Sequence, residues 1–113
     1  MSRVEIGGDK YTIAFGVDHV TGAFVQLWVN PIDEQDCAAV IIDSFGVRVE
    51  EEQMSALDEK TLRYVDEQRK RFEIWHKSGR SGLPNIDTDV AIGLAKSIEG
   101  FPDITTKVYK AFD

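Results

Sequence analysis

The sequence predicts an α+β fold: an antiparallel three- or four-stranded meander sheet followed by two to four helices packed on one face of it. Three observations predict it. Period-two alternation dominates about residues 3–43, helical spacing about residues 50–113, and turn-forming clusters stand between the segments.

The alternation is clearest from Tyr11 to Val29, YTIAFGVDHVTGAFVQLWV. Tyr11, Ile13, Phe15 and Val17 alternate with Thr12, Ala14, Gly16 and Asp18, and Val25, Leu27 and Val29 again share one face. A three-residue loop Val20-Thr21-Gly22, with Gly22 at the left-handed position, closes this hairpin. That turn sets Val17 opposite Val25, Phe15 opposite Leu27 and Ile13 opposite Val29. On the other face Gly16 falls opposite Gln26, flanked by Phe24 and Trp28. Those aromatics either carry a second packing layer, such as a helix, or form an exposed patch that receives a partner.

The other elements follow in order. Arg3-Val4-Glu5-Ile6 is a short strand ahead of the turn cluster Gly7-Gly8-Asp9. Pro31, which has no N–H to donate, ends the second hairpin strand. Cys37 to Ile42 is a β-branched run of strand length, and Val47 to Val49 either extends the sheet or begins a helix. Glu50-Glu51-Glu52, with Met54 and Leu57, predicts a short helix whose acidic first turn opposes the helix dipole. Asp58 caps a longer helix running to Ser78 and stopped by Gly79. Its apolar stripe is Leu57, Thr61, Tyr64, Val65, Gln68, Phe72 and Trp75. Gly79 to Asn85 is a loop by composition. Thr88 or Asp87 caps a helix over Asp89 to Glu99, ended by Gly100 and Pro102. Ile104, Val108 and Phe112 favour a final helix, although Ile104, Thr106 and Val108 also alternate as a strand does.

A chain of 113 residues has length for one core, so a single domain is expected over 1–113. No apolar run approaches the roughly 20 residues that span a bilayer, and the first residues lack the apolar stretch of a secretory signal. With Cys37 as its one cysteine, the chain is expected in the cytoplasm, without an internal disulfide or zinc site.

The net charge of −7 is unevenly placed. Residues 1–59 carry 3 basic and 12 acidic side chains, whereas residues 60–80 carry 7 basic and 3 acidic. Any nucleic-acid face would therefore use Arg63, Arg69, Lys70, Arg71, Lys77 and Arg80 on the long helix. Asp66, Glu67 and Glu73 sit at helical spacing among them, so the alternative is a partly neutralised, solvated face. Opposite in sign, Asp33, Glu34, Asp36, Glu50, Glu51 and Glu52 form an acidic surface that repels nucleic acid and suits a basic protein groove.

Residues for catalysis do not assemble. Asp18 and His19 are neighbours on a strand and point to opposite faces, and His76 sits where a helix C-terminus favours a cation. Asp33, Glu34 and Asp36 lack the glycine and spaced glutamate of a calcium loop. Cys37 reads as a small core residue, and Lys77 to Gly82 lacks phosphate-loop spacing. No cofactor or metal is expected, and an enzyme ranks third.

Lys10 to Gln26, KYTIAFGVDHVTGAFVQ, resembles the opening of small uncharacterised bacterial proteins that share a K-Y-x-I-A-x-G-x-D-H-x-x-G-x-F pattern. The resemblance covers the main hairpin. It implies a bacterial, plasmid or phage origin and carries over no activity and no site residue.

Two functions follow as expectations. The first is a non-enzymatic protein-binding module, an accessory or inhibitor protein whose acidic face engages a basic partner. The second is a nucleic-acid binder using the basic helix. Association of two copies through Phe24 and Trp28 is a further expectation.

Overall fold

The computed structural model describes residues 2–20, 22–32, 37–79 and 88–112. Five strands, rather than three or four, pair antiparallel in chain order: β1 (Ser2–Gly7), β2 (Tyr11–Asp18), β3 (Gly22–Val29), β4 (Val40–Asp43) and β5 (Gly46–Val49). The fifth strand is the Val47–Val49 segment, which extends the sheet. Its turn is organised by Asp43, a buried carboxylate that accepts the Phe45 N–H at 2.9 Å and pairs with Arg48.

The hairpin register lies two residues from the predicted one. Phe15 faces Val25, Ile13 faces Leu27, and Gly16 faces Phe24. The cause is the Asp18 carboxylate, which accepts the Val20 N–H at 2.7 Å and starts the turn at Asp18. Gly22 keeps its left-handed conformation, with φ of 76°. Because a shift of two preserves the pleat, every side chain stays on its predicted face.

The strand read over Cys37 to Ile42 begins at Val40 instead. Ala39 donates its N–H to the Leu27 carbonyl at 2.8 Å, while Val40 is itself the partner of Leu27. Two residues thus stand against one, the count that bends a strand and ends its ladder. Cys37 lies beyond that bend and is exposed, which corrects its assignment to the core.

A 3-10 helix over Glu51–Ala56 leads into α1 (Glu59–Lys77), followed by α2 (Thr88–Lys96) and α3 (Thr105–Phe112). Asp58 is the residue before α1, as predicted, though its side chain makes no capping bond. The turn leading into the last helix is held by Asp103, whose carboxylate accepts both the N–H and the hydroxyl of Thr105. The Thr105 hydroxyl, then its N–H, hold the Asp103 carboxyl below its ordinary value of 3.8. The second helix stops at Lys96 rather than Glu99. Its end tightens into shorter bonds, Ser97 N–H to Leu94 O and Ile98 N–H to Ala95 O, and Ser97 Oγ also donates to Leu94 O.

Tyr11, Ile13, Phe15, Val25, Leu27, Val40 and Ile42 form the sheet side of the core. Against them pack Val65 and Phe72 from α1, Val90, Ala91 and Leu94 from α2, and Val108 from α3. Phe15 and Phe112 meet with ring centres 6.1 Å apart. The predicted α1 stripe is the buried one, with Tyr64 and Trp75 half-buried at its margin.

Candidate interaction surfaces

The sheet face opposite that core is covered by its own side chains. Its alternate positions are Arg3 and Glu5 on β1, Thr12, Ala14 and Gly16 on β2, and Phe24, Gln26 and Trp28 on β3. The Arg3 Nη1 reaches across β2 and donates to Gln26 Oε1 at 3.0 Å, and Trp28 Nε1 donates to the same oxygen at 3.1 Å. The Arg3 guanidinium carbon also lies 5.9 Å from the centre of the Phe24 ring. Small β2 residues make room for this lid, and Ala14 and Gly16 are buried beneath it.

The aromatic patch is therefore not an exposed one. Phe24 is 6% exposed and Trp28 is half-buried, and each is engaged by a polar neighbour on the same face. No helix was needed to cover this face. An arginine one strand away from β2 does so, a contact that strand alternation alone cannot reveal.

Glu50, Glu51 and Glu52 stand at the start of the 3-10 helix. Glu51 and Glu52 are exposed and Glu50 is half-buried. The turn is tied down at both ends. Glu50 N–H donates to Ala39 O at 2.9 Å, Gln53 Nε2 to Cys37 O at 3.0 Å, and Tyr11 Oη to Ala56 O at 2.8 Å. None of these three carboxylates has an ion-pair partner among the described residues. The other half of the predicted acidic surface, Asp33, Glu34 and Asp36, lies outside the described residues, as do Arg80, Asp87, Thr21 and the rest of the 80–85 loop.

Two of the basic side chains on this helix are ion-paired within it, and a third is hydrogen-bonded to a neutral amide. Arg63 pairs with Glu59 at 3.0 Å, Lys70 pairs with Asp66 at 3.2 Å, and Arg71 donates to Gln68 at 3.1 Å. Acid and base recur four residues apart in a seven-residue rhythm, Glu59 with Arg63, Asp66 with Lys70, Glu73 with Lys77. Arg69 stands to one side of this line. It borders, together with Asp66, Lys70, Glu73, His76 and Phe45, a groove of about 420 Å³ between α1 and the β4–β5 turn. Among the described residues, the predicted basic side chains thus do not share one stripe.

A second cleft of about 340 Å³ lies between the β1–β2 turn, the start of α1 and the end of α2. Lys10, Tyr11, Asp58, Lys60 and Glu99 are among its walls. The Tyr11 hydroxyl there is fully engaged, donating to Ala56 O and accepting the Asp58 N–H. Lys10 Nζ is 4.0 Å from Asp58 Oδ1. His19 and His76 are both exposed and far apart in the chain. Among the described residues, no three His, Cys, Asp or Glu side chains gather as metal ligands do. Nor is any described helix long and apolar enough to cross a membrane.

No family model, curated protein or solved structure matches the chain.

Proposed function

We propose that the chain is a non-enzymatic protein-binding module whose acidic turn, Glu50 to Glu52, engages a basic surface of a partner protein. One observation carries this reading. Three carboxylates are presented on a turn anchored to the sheet at both ends, without a cation beside them among the described residues. The nearest base in sequence, Arg48, is already committed to Asp43. A turn whose backbone is already held loses little main-chain freedom when a partner arrives, and the field of its uncompensated charges steers a basic surface toward it. The paired charges of α1 support the same preference, because Arg63 and Lys70 already hold carboxylates that compete with phosphates for them.

Affinity capture from a bacterial lysate tests it, with the native chain beside a Glu50→Lys, Glu51→Lys, Glu52→Lys variant and with nuclease in parallel arms. The expected result is a protein retained by the native chain after nuclease, released by raised salt, and lost with the triple variant. Retention that the variant leaves unchanged overturns the acidic-turn reading. A signal that disappears with nuclease transfers the function to α1.

A further inference from the structure

We infer that the free edge of β1 is a self-association site, through which a second copy of the chain pairs antiparallel to make a continuous sheet across a two-fold axis. The inference is independent of the acidic turn.

Strand β1 lies at the end of the strand order, with only β2 beside it. Its six residues carry no proline and no lysine, and its pairing with β2 runs unbroken from Ser2 to Gly7. Such an edge lacks the proline, lysine and bulge that commonly block edge-to-edge pairing, and its two charged residues, Arg3 and Glu5, are opposite in sign. The opposite edge, β5, is shorter, at four residues, and has α1 packed against it.

The hydrogen-bond parity identifies which backbone groups are on offer. Gly8 N–H donates to Tyr11 O at 2.7 Å, which places the even-numbered residues of β1 in the hydrogen-bonded positions toward β2. The N–H and C=O groups of Arg3, Glu5 and Gly7 therefore point to the open edge. None of them has a backbone partner among the described residues.

Two-fold pairing must match these odd-numbered residues with each other. Centring on Arg3 sets Arg3 against Arg3 of the second copy, and centring on Glu5 sets glutamate against glutamate. Centring on Val4 sets each Arg3 opposite the other copy's Glu5. This register pairs opposite charges twice, and it alone of the three avoids a like-charge pair. Arg3 already pairs with Glu5 of its own strand at 3.0 Å, so association closes a ring of two arginines and two glutamates with alternating sign. On the core side Val4, which is half-buried, meets its own copy at the axis. Helix α3 packs on β1 and β2, so the two copies of α3 lie on either side of that valine pair.

Sedimentation of the full chain, carrying no added N-terminal residues, tests the site. The native chain is expected to sediment as a concentration-dependent dimer. Glu5→Pro removes an N–H that serves only the open edge, so it is expected to fold and to remain monomeric. Arg3→Glu creates two like-charge pairs and is expected to weaken association by about tenfold or more. Adding Glu5→Arg to that variant is expected to restore the dimer. Circular dichroism reports whether Glu5→Pro is folded, and if it is not, the charge-exchange pair decides. A native chain that stays monomeric at submillimolar concentration overturns the inference. So does a dimer that survives Arg3→Glu, or one that Trp28→Ala dissociates while folded Glu5→Pro leaves it intact.

Discussion

The Tyr11 hydroxyl donates to the Ala56 carbonyl at 2.8 Å and accepts the Asp58 N–H at 3.1 Å, bridging the first residue of β2 to the junction before α1. One phenol thereby fixes where the long helix starts relative to the sheet. Asp58 makes no side-chain cap, so this contact supplies part of the order that a cap would otherwise provide.

Tyr11→Phe is expected to destabilise the fold by about 1–3 kcal/mol, because it leaves a carbonyl and an N–H without their partner. Denaturant unfolding measures the change. The pH dependence has a definite sign. Burial raises the Tyr11 pKa above its ordinary value of 10.0, with the neighbouring Asp58 carboxylate adding to the rise and the Asp58 N–H opposing it. A raised folded pKa gives stability that is complete below 10.0 and lost as pH climbs toward the higher folded value. The gap between native chain and Tyr11→Phe should therefore narrow above that pH. A gap that widens in alkali contradicts the assignment.

A second prediction concerns Gly93, in the middle of α2. A Cβ placed there would meet the Tyr64 phenol from α1, whose hydroxyl donates to Val90 O at 3.0 Å. Alanine in an exposed helix interior gains about 1 kcal/mol over glycine. Here overpacking, at about 1–3 kcal/mol, opposes and exceeds that gain. Gly93→Ala is expected to be destabilising in the native chain and stabilising by about 1 kcal/mol in a Tyr64→Ser background. Thermal unfolding of the four proteins in that cycle tests it, and stabilisation in both backgrounds would show that Tyr64 moves aside freely.

Local chemistry explains which parts of this fold were legible in the sequence. The α1 stripe was readable because Thr61, Val65, Gln68 and Phe72 repeat at helical spacing and all are buried. The faces of the hairpin were readable, but its register was not. The choice between two turns depends on whether Asp18 accepts the Val20 N–H, a bond worth too little to mark the pattern. Val47 to Val49 was ambiguous because three residues define no period. Its pairing with Val40 and Ile42 decides the matter from outside the segment. Cys37 was misplaced because composition cannot foresee the bend at Ala39.

The surfaces were less legible than the core, for a similar reason. Glu51 and Glu52 are exposed where the sequence placed them. Phe24 is not, because Arg3 crosses from β1 to reach Gln26 on β3. No property of Phe24 or its neighbours encodes a residue 21 positions away. The role of β1 as an open edge was also hidden. Arg3-Val4-Glu5-Ile6 alternates like any half-buried strand, and only the strand order shows that nothing described pairs with its far side.

The last prediction separates the two classes of partner. In α1, Lys70 and Asp66 form an exposed pair four residues apart, as do Arg63 and Glu59. Exposed pairs of this kind contribute about 0.3–0.5 kcal/mol each. Alanine is also the better helix former, so Arg69→Ala, Lys70→Ala, Arg71→Ala together should change stability by less than about 1 kcal/mol. The triple variant is thus a clean probe of function, since loss of binding cannot be blamed on unfolding. Mobility-shift titration of the native chain with duplex and single-stranded DNA and RNA is expected to show no salt-sensitive complex. The net charge of −7 opposes approach, and Arg63 and Lys70 of α1 are already paired with carboxylates. Retardation by the native chain that the triple variant abolishes would reverse this conclusion. It would mean that Arg69, Lys70 and Arg71 hold nucleic-acid phosphates, with Lys70 drawn away from Asp66, and that α1 rather than the acidic turn is the working surface.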